Sequence, residues 1–428
     1  MDSMARRFWV IGVVGVAIVT IASAPSSPDE TAATPALAST STSTVATIVP
    51  PSTVEVATTT TTATTDPPLV STTSTSTSTT STSTSTTVQQ NSGAFNSDAF
   101  DAVVAAATVD LGDISTGVAV LRNGEVLHTA AFGMENPFES RVATVDTRFR
   151  IASVSKMFTA VAIMQLVNEG SIQLNQSFTD QLGVEGPFND PRVAAVTVRQ
   201  LLSHMSGFAV SRSIFFARGV ETWRQAANDA FGQVLQFDPG TAFQYSNTNF
   251  CLLGLLLESV TGQTFEDAIR DRVLQPLDIE AHLAPTFDTE PGDALHASSP
   301  GRNYMETLGP AGGWVATPLD VAKLAASLRA ESSGSHLLDR ATVDAMRVPV
   351  PVPVEDPPPL NGWSYGLGLI LFGDGSWGHT GTIESTHSMV MNRPDGLTVA
   401  VLVSGKVPSN TDDLQAVIDL AVTAASSP

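Results

Sequence analysis

Apolar residues recur at helical spacing at Phe100, Val103, Val104 and Ala107, which predicts a helix over Ser97–Asp110. The pattern then changes to short apolar runs. Thr116–Leu121 and Glu125–Phe132 flank Arg122-Asn123-Gly124, and Asn-Gly between such runs predicts a hairpin. A long apolar segment follows Arg150-Ile151-Ala152-Ser153-Val154-Ser155-Lys156-Met157-Phe158, with Gly170 as its stop. From Glu169 to about Pro300 strand signals are scarce. Val198–His204, Trp223–Ala230, Thr248–Thr261 and Phe265–Val273 read as helices. Thr317 as cap and Pro318 at the first helical position open another helix, running to Arg329. Strand patterns return at Tyr365–Phe372, Ser376–Thr382, His387–Asn392 and Leu397–Val403, with Gly and Pro turns between them. Asp412–Ala425 closes the chain as a helix. Strands, then helices, then strands predict an α+β fold, an antiparallel sheet assembled from both ends with a helical domain inserted at about 151–300.

The first 93 residues break this pattern. Arg6 and Arg7 precede the apolar run Phe8–Ala22 and the small residues Ala22-Ser23-Ala24, so residues 1–24 read as an export signal. Pro25 stands against cleavage there, and an uncleaved segment would act as a membrane anchor. Residues 25–93 are Ser, Thr, Ala, Pro and Val repeats with too few large apolar side chains to offset ordering, which predicts a disordered linker. The folded part is then 94–428, secreted or anchored on the outer side of the membrane.

Composition narrows the chemistry. The net charge of −21 argues against nucleic acid as a partner. The single cysteine, Cys251, excludes an internal disulfide and a thiolate metal site. The domain must rely on a large core instead.

Three short segments carry candidate chemistry. Ser153 and Lys156 lie three apart, on one face of a helix. Lys156 is the only cation in that apolar helix. Burial would lower its pKa, and a neutral amine beside a hydroxyl can activate a nucleophile. Taken alone, the pair is better explained by a capping serine and a snorkelling lysine. Tyr245-Ser246-Asn247 follows the Pro239-Gly240 turn, just before the helix of Cys251. A loop tyrosine can relay a proton if an ammonium holds its pKa down, and Asn247 can bond a substrate amide. Trp377-Gly378-His379-Thr380-Gly381-Thr382 lies on a predicted strand. Gly381 permits close backbone approach, and a strand amide can donate to an oxyanion. His379 is a general acid or an electrostatic contact.

Ser-x-x-Lys, Tyr-Ser-Asn and His-Thr-Gly in this order resemble the serine β-lactamase and penicillin-binding superfamily. Val198–Gly207, Pro239-Gly240-Thr241, Asn247-Thr248-Asn249-Phe250 and Ala311-Gly312-Gly313-Trp314 extend the resemblance over residues 98–425. The Tyr-x-Asn form is similar to the class C β-lactamase branch, and the His of the third motif to its D-Ala-D-Ala carboxypeptidases. The resemblance implies Ser153 as nucleophile, with Lys156 and Tyr245 as its proton network. Either a neutral lysine or a phenolate takes the serine proton. Asn247, His379, Thr380, Gly381 and Thr382 would bind substrate, with an oxyanion hole from the N–H groups of Ser153 and Thr382. The cycle implied is an acyl-enzyme needing no metal or cofactor. Its substrate would be a small molecule or peptide, a peptidoglycan stem peptide among them. An esterase or class C-like β-lactamase is the alternative within this chemistry, and a non-catalytic ligand-binding ectodomain the alternative outside it.

Other residues are set apart. Gly362-Trp363-Ser364-Tyr365-Gly366 matches G-x-S-x-G, but that elbow needs a strand before it and a helix after it, so Ser364 reads as a decoy. His204 is expected to orient a loop. Glu384 reads as a solvated edge residue and His387 as structural. Relatives have a Gly and then an aromatic past the third motif, where this chain has Ser385 and Thr386. Arg302 is a candidate cation for a substrate carboxylate.

Overall fold

The computed structural model describes residues 95–110, 113–209, 222–284, 289–296, 304–350, 362–405 and 411–427. The expected export signal, the linker and Arg302 lie outside these residues. Residues 87–428 form one compact unit.

Helix α1 (Ser97–Asp110) begins the domain, with Phe100 and Val104 fully buried. Strands β1 (Asp113–Arg122) and β2 (Glu125–Asn136) form the predicted hairpin. Asn123 and Gly124 both take positive φ, +50° and +85°, as the tight turn between twisted strands requires. The short strands β3 (Arg141–Val142) and β4 (Phe149–Arg150) lead to a 3-10 turn at Ala152–Val154 and then α2 (Ser155–Asn168).

The middle of the chain supplies α3 (Phe178–Leu182), α4 (Val198–Leu202), α5 (Trp223–Ala230), α6 (Asn247–Thr261) and α7 (Phe265–Ile269). Two sequence expectations change here. The helix expected to reach His204 ends at Leu202, and His204 takes φ +58°. The helix expected to reach Val273 passes at Arg270 into a π-turn, Arg270–Leu274. Beyond it, β5 (His282–Leu283), α8 (Tyr304–Leu308) and β6 (Trp314–Ala316) follow. Strands β4, β6 and β5 form a small second sheet, which the alternation pattern of two- and three-residue strands is too short to reveal. Helices α9 (Pro318–Ser327) and α10 (Arg340–Met346) complete this part. Thr317 caps α9, as the sequence implies, and Asp320 completes a reciprocal capping box.

The end of the chain returns to the sheet with β7 (Ser364–Tyr365), β8 (Ile370–Leu371), β9 (Trp377–Ile383), β10 (Thr386–Asn392) and β11 (Leu397–Gly405), then α11 (Thr411–Ser426). The expected single strand Tyr365–Phe372 is two short strands around a tight loop. Glycines cause the break. A Cβ at Gly366 would lie 2.0 Å from the Met346 carbonyl oxygen, and one at Gly368 would lie 2.4 Å from Ala160 Cβ. The loop thereby presses on α10 and α2.

The large sheet runs β3-β2-β1-β11-β10-β9-β8-β7, with antiparallel pairs. Its first and last long strands meet at its centre, Val118 opposite Val401. One core lies between the sheet and the helices of the middle segment, and includes Phe158, Leu253 and Trp314. A second packs α1 and α11 on the other face, through Phe100, Leu414 and Ile418. The α+β fold with an inserted helical region is therefore the observed one.

Candidate active site

The three sequence segments converge at the start of α2. Ser153 sits in the 3-10 turn that precedes the helix, after Ala152, whose φ is +47°. This left-handed residue is strained backbone for a side chain with a Cβ, and it is held by its surroundings. The Ile151 N–H donates to the Trp314 carbonyl at 3.1 Å, and the Trp314 N–H donates to Ser155 Oγ at 3.2 Å. Ser388 Oγ, on β10, donates to the Ile151 carbonyl at 2.7 Å. Strand, turn and helix are thus fastened around Ser153.

Lys156 is fully buried one turn later. Its Nζ donates to Ser153 Oγ at 3.1 Å, to Asn247 Oδ1 at 2.8 Å and to the Ala311 carbonyl at 2.7 Å. Burial lowers its pKa to about 7. As a neutral amine it has two N–H donors and one lone pair. The Asn247 and Ala311 oxygens match the donors, and the lone pair is left facing the Ser153 hydroxyl.

Tyr245 is held beside this pair by His204. The Ser246 N–H donates to His204 Nδ1 at 3.2 Å, and the two rings lie 4.1 Å apart, centre to centre. His204 is buried and neutral, its pKa pushed well down by burial and then by Lys156. It orients the Tyr245 loop, as expected. Lys156 Nζ lies 4.8 Å from the Tyr245 ring centre. Burial nonetheless raises the Tyr245 pKa, and the Ser153 hydroxyl opposes this only in part. Desolvation is the larger cause, so the condition for a phenolate, an ammonium that holds the phenol down, is not met. Tyr245 is a proton donor at neutral pH.

Strand β9 forms the opposite wall. Only its Trp377–Gly378 end pairs with β8, so the backbone from His379 to Ile383 has one edge free of that partner. A Cβ at Gly381 would lie 2.4 Å from the Ile151 oxygen and 2.8 Å from the Ser153 nitrogen. Glycine is the residue that allows this contact, and it brings the Thr382 amide alongside the Ser153 turn. Thr382 Oγ1 and His387 Nδ1 are 2.9 Å apart, so His387 steadies Thr382.

His379 is neither a cation nor free. Its Nδ1–H donates to the Thr380 carbonyl at 2.6 Å, and the Tyr365 hydroxyl donates to its Nε2 at 2.9 Å. Burial, with Lys156 nearby, lowers its pKa to about 3. The general-acid role considered for it loses its proton. Tyr365 was missed in the sequence, where it stood beside the decoy Ser364. Its neighbour Ser364 lies on β7, with no strand-to-helix elbow. Ala311 was quoted only as a flanking residue, and its part is played by a backbone carbonyl, which no side-chain pattern marks. Glu384, with φ +44°, and Ser385 form the turn between β9 and β10.

Around Ser153 is a cavity of about 260 Å³, lined by Tyr245, His379, Thr380, Gly381 and Thr382, with Trp363, Ile370, Phe372 and Met389 supplying an apolar side. Among the described residues no cluster of His, Cys, Asp and Glu could hold a metal ion. Cys251 is buried, its thiol pushed up to about 12.

This fold and this meeting of serine, lysine, tyrosine and a glycine-bearing strand define a class. The beta-lactamase family model matches residues 100–423, and the chain belongs to that family, within the serine β-lactamase and penicillin-binding superfamily of serine hydrolases. Penicillin-binding protein 4 of Amycolatopsis lactamdurans is 28% identical over 316 residues, 68% of this chain and 81% of that protein. The FimD protein (serogroup D) of Dichelobacter nodosus is 34% identical over 162 residues, 37% of this chain. That match spans 41% of the length of the relative. Among solved structures, SurE with D-Leu aligns at a TM-score of 0.63 and 27% identity, covering 76% of this chain and 75% of that one. The D-amino acid amidase of Ochrobactrum anthropi shares the fold, with a TM-score of 0.63 at 23% identity over 77% of this chain and 97% of its own.

Proposed function

We propose that this protein is an exported serine hydrolase of the D-alanyl-D-alanine carboxypeptidase type, working through an acyl-enzyme on Ser153. The observation that carries the reading is the set of contacts at Lys156 Nζ. Two acceptors take its N–H groups and the third position faces Ser153 Oγ, in a site that lowers its pKa to about 7. Neutral Lys156 takes the hydroxyl proton as Ser153 Oγ attacks the substrate carbonyl. The N–H groups of Ser153 and Thr382 receive the oxyanion. Tyr245 gives its proton to the departing amine and recovers one from the Lys156 ammonium. Water then attacks the ester, its proton passing to the same network. Asn247 keeps its amide N–H₂ for a substrate carbonyl, since its oxygen is taken by Lys156. The free edge of β9 pairs with an extended substrate backbone.

Two relatives support this reading: one is named a penicillin-binding protein, which fits acylation by a β-lactam, and SurE was solved with D-Leu, which fits a D-configured group in the site. The apolar side of the cavity favours the second reading, a small-ester or β-lactam hydrolase. The N-terminal 24 residues would deliver the domain outside the cytoplasm, cleaved or as an anchor. The test is incubation with a fluorescent penicillin, followed by a panel of stem peptides, esters and β-lactams. A covalent adduct that disappears in Ser153→Ala is expected. No adduct and no turnover would leave a ligand-binding ectodomain as the function.

A further inference from the structure

A second cavity lies away from Ser153, at the other end of β9. It has a volume of about 240 Å³, between the residues that follow α9, helix α10, and the turns before β9 and before β11. Four arginines line it: Arg329, Arg340, Arg347 and Arg393. The whole chain has only 21 Lys and Arg against 42 Asp and Glu, so this concentration runs against the composition.

Their charges are unequally matched. Arg393 is paired with Asp395 and Asp419, and Arg340 has Asp344 at 3.5 Å. Arg329 is more loosely matched, with Glu331 of the same cavity wall as its nearest carboxylate. Its residue is 9% exposed, and its Nη1 donates to the Arg393 carbonyl. The carboxylate of Glu331 is 3.9 Å from Nη2, too far for a hydrogen bond. Its Nε is buried with no hydrogen-bond partner. Leaving a charged donor unmet in this way is costly. Arg347 lies near enough to act on Arg329, less than Glu331 and Asp395 do, and its guanidinium stacks on Trp377, 4.8 Å from the ring centre. Stacking of this kind fixes an arginine plane while leaving its N–H edge available.

We propose that this cavity binds a compact oxyanion of the phosphate type, held by Arg329 and Arg347. A tetrahedral oxyanion fits the volume and can accept from both guanidinium edges. The same chemistry could be presented by soluble phosphate or by a phosphate-bearing lipid headgroup.

The test uses the full-length protein. Inorganic phosphate is titrated calorimetrically into wild type, Arg329→Gln and Arg347→Ser, and binding to phosphatidylcholine vesicles is compared with and without phosphatidic acid. Arg347 is exposed, so its variant remains informative if Arg329→Gln unfolds. Saturable phosphate binding that weakens about tenfold or more in Arg347→Ser is the expected result. Retention on phosphatidic acid vesicles that the same variant loses supports the proposal with the lipid as source, and its absence beside phosphate binding supports the soluble source. Heat that does not saturate, or that saturates equally in wild type and variants, overturns it. Ser153 acylation is measured in parallel and is expected to survive Arg347→Ser, so failure here is separable from failure of the proposed function.

Discussion

Burial sets the protonation states around Ser153. It makes Lys156 titrate at about 7, keeps His379 neutral down to about 3 and keeps Tyr245 protonated. The acylation rate at low substrate should therefore rise with pH and level off above about 7. Stopped-flow acylation over pH 5 to 9 measures this, and a rate flat across that range would remove Lys156 as the base. Stability follows the same group. Between about 7 and its unfolded value of 10.5, the unfolded chain holds a proton on Lys156 that the folded chain does not. Folding stability gains with rising pH through that window, by at most about 1.4 kcal/mol per pH unit. Lys156→Met lacks this slope. Urea unfolding of both proteins should show the difference between variant and wild type changing in favour of wild type from pH 7 to pH 10. Tyr365→Phe removes the donor to buried His379 Nε2, and should cost about 1–3 kcal/mol in urea unfolding while lowering acylation.

At the level of elements, β9 is the part whose placement matters most. Its two-residue turn and its pairing with β10 fix the register that sets Gly381 opposite Ser388 and Thr382 opposite His387. A shift by one residue would turn every side chain to the other face. Gly381→Ala would push β9 off the Ser153 turn, because two of the three nearest atoms, the Ile151 oxygen and the Ser153 nitrogen, are backbone. A fall of about 10²–10³-fold in acylation is expected, on the scale of a lost oxyanion donor. Thermal unfolding of the same variant tests whether the fold survives. Little change in acylation would mean that the Thr382 amide takes no part.

For the whole molecule, the sheet joins the two ends of the folded chain, so neither end is dispensable. Helix α11 covers one sheet face with Leu414, Ile418, Ala421 and Ala425, all fully buried. Burial of one leucine and one isoleucine alone contributes about 3–6 kcal/mol, comparable with the net stability of a domain. A chain ended at Gly405 should fail to give a cooperative thermal transition by circular dichroism. A transition matching wild type would show that the second core is not needed.

The sequence by itself determined the long elements and the chemical types at the site. Helix periodicity marked α1, α5, α6, α9 and α11, and the Asn123-Gly124 turn marked β1 and β2, because amphipathic period and turn chemistry are local properties. The order Ser153-x-x-Lys156, Tyr245-x-Asn247 and His379-Thr380-Gly381 gave the candidate residues for the same reason. Tertiary structure decided the rest. The loop at Gly366 and Gly368 depends on helices that lie far away in sequence, as does the small sheet of β4, β6 and β5. The Ala311 carbonyl at Lys156, Tyr365 at His379 and Ser388 at Ile151 are long-range contacts, which no local pattern encodes. Protonation was decided there too, since the depth of burial that neutralises His379 and keeps Tyr245 protonated exists only once the helices close on the sheet.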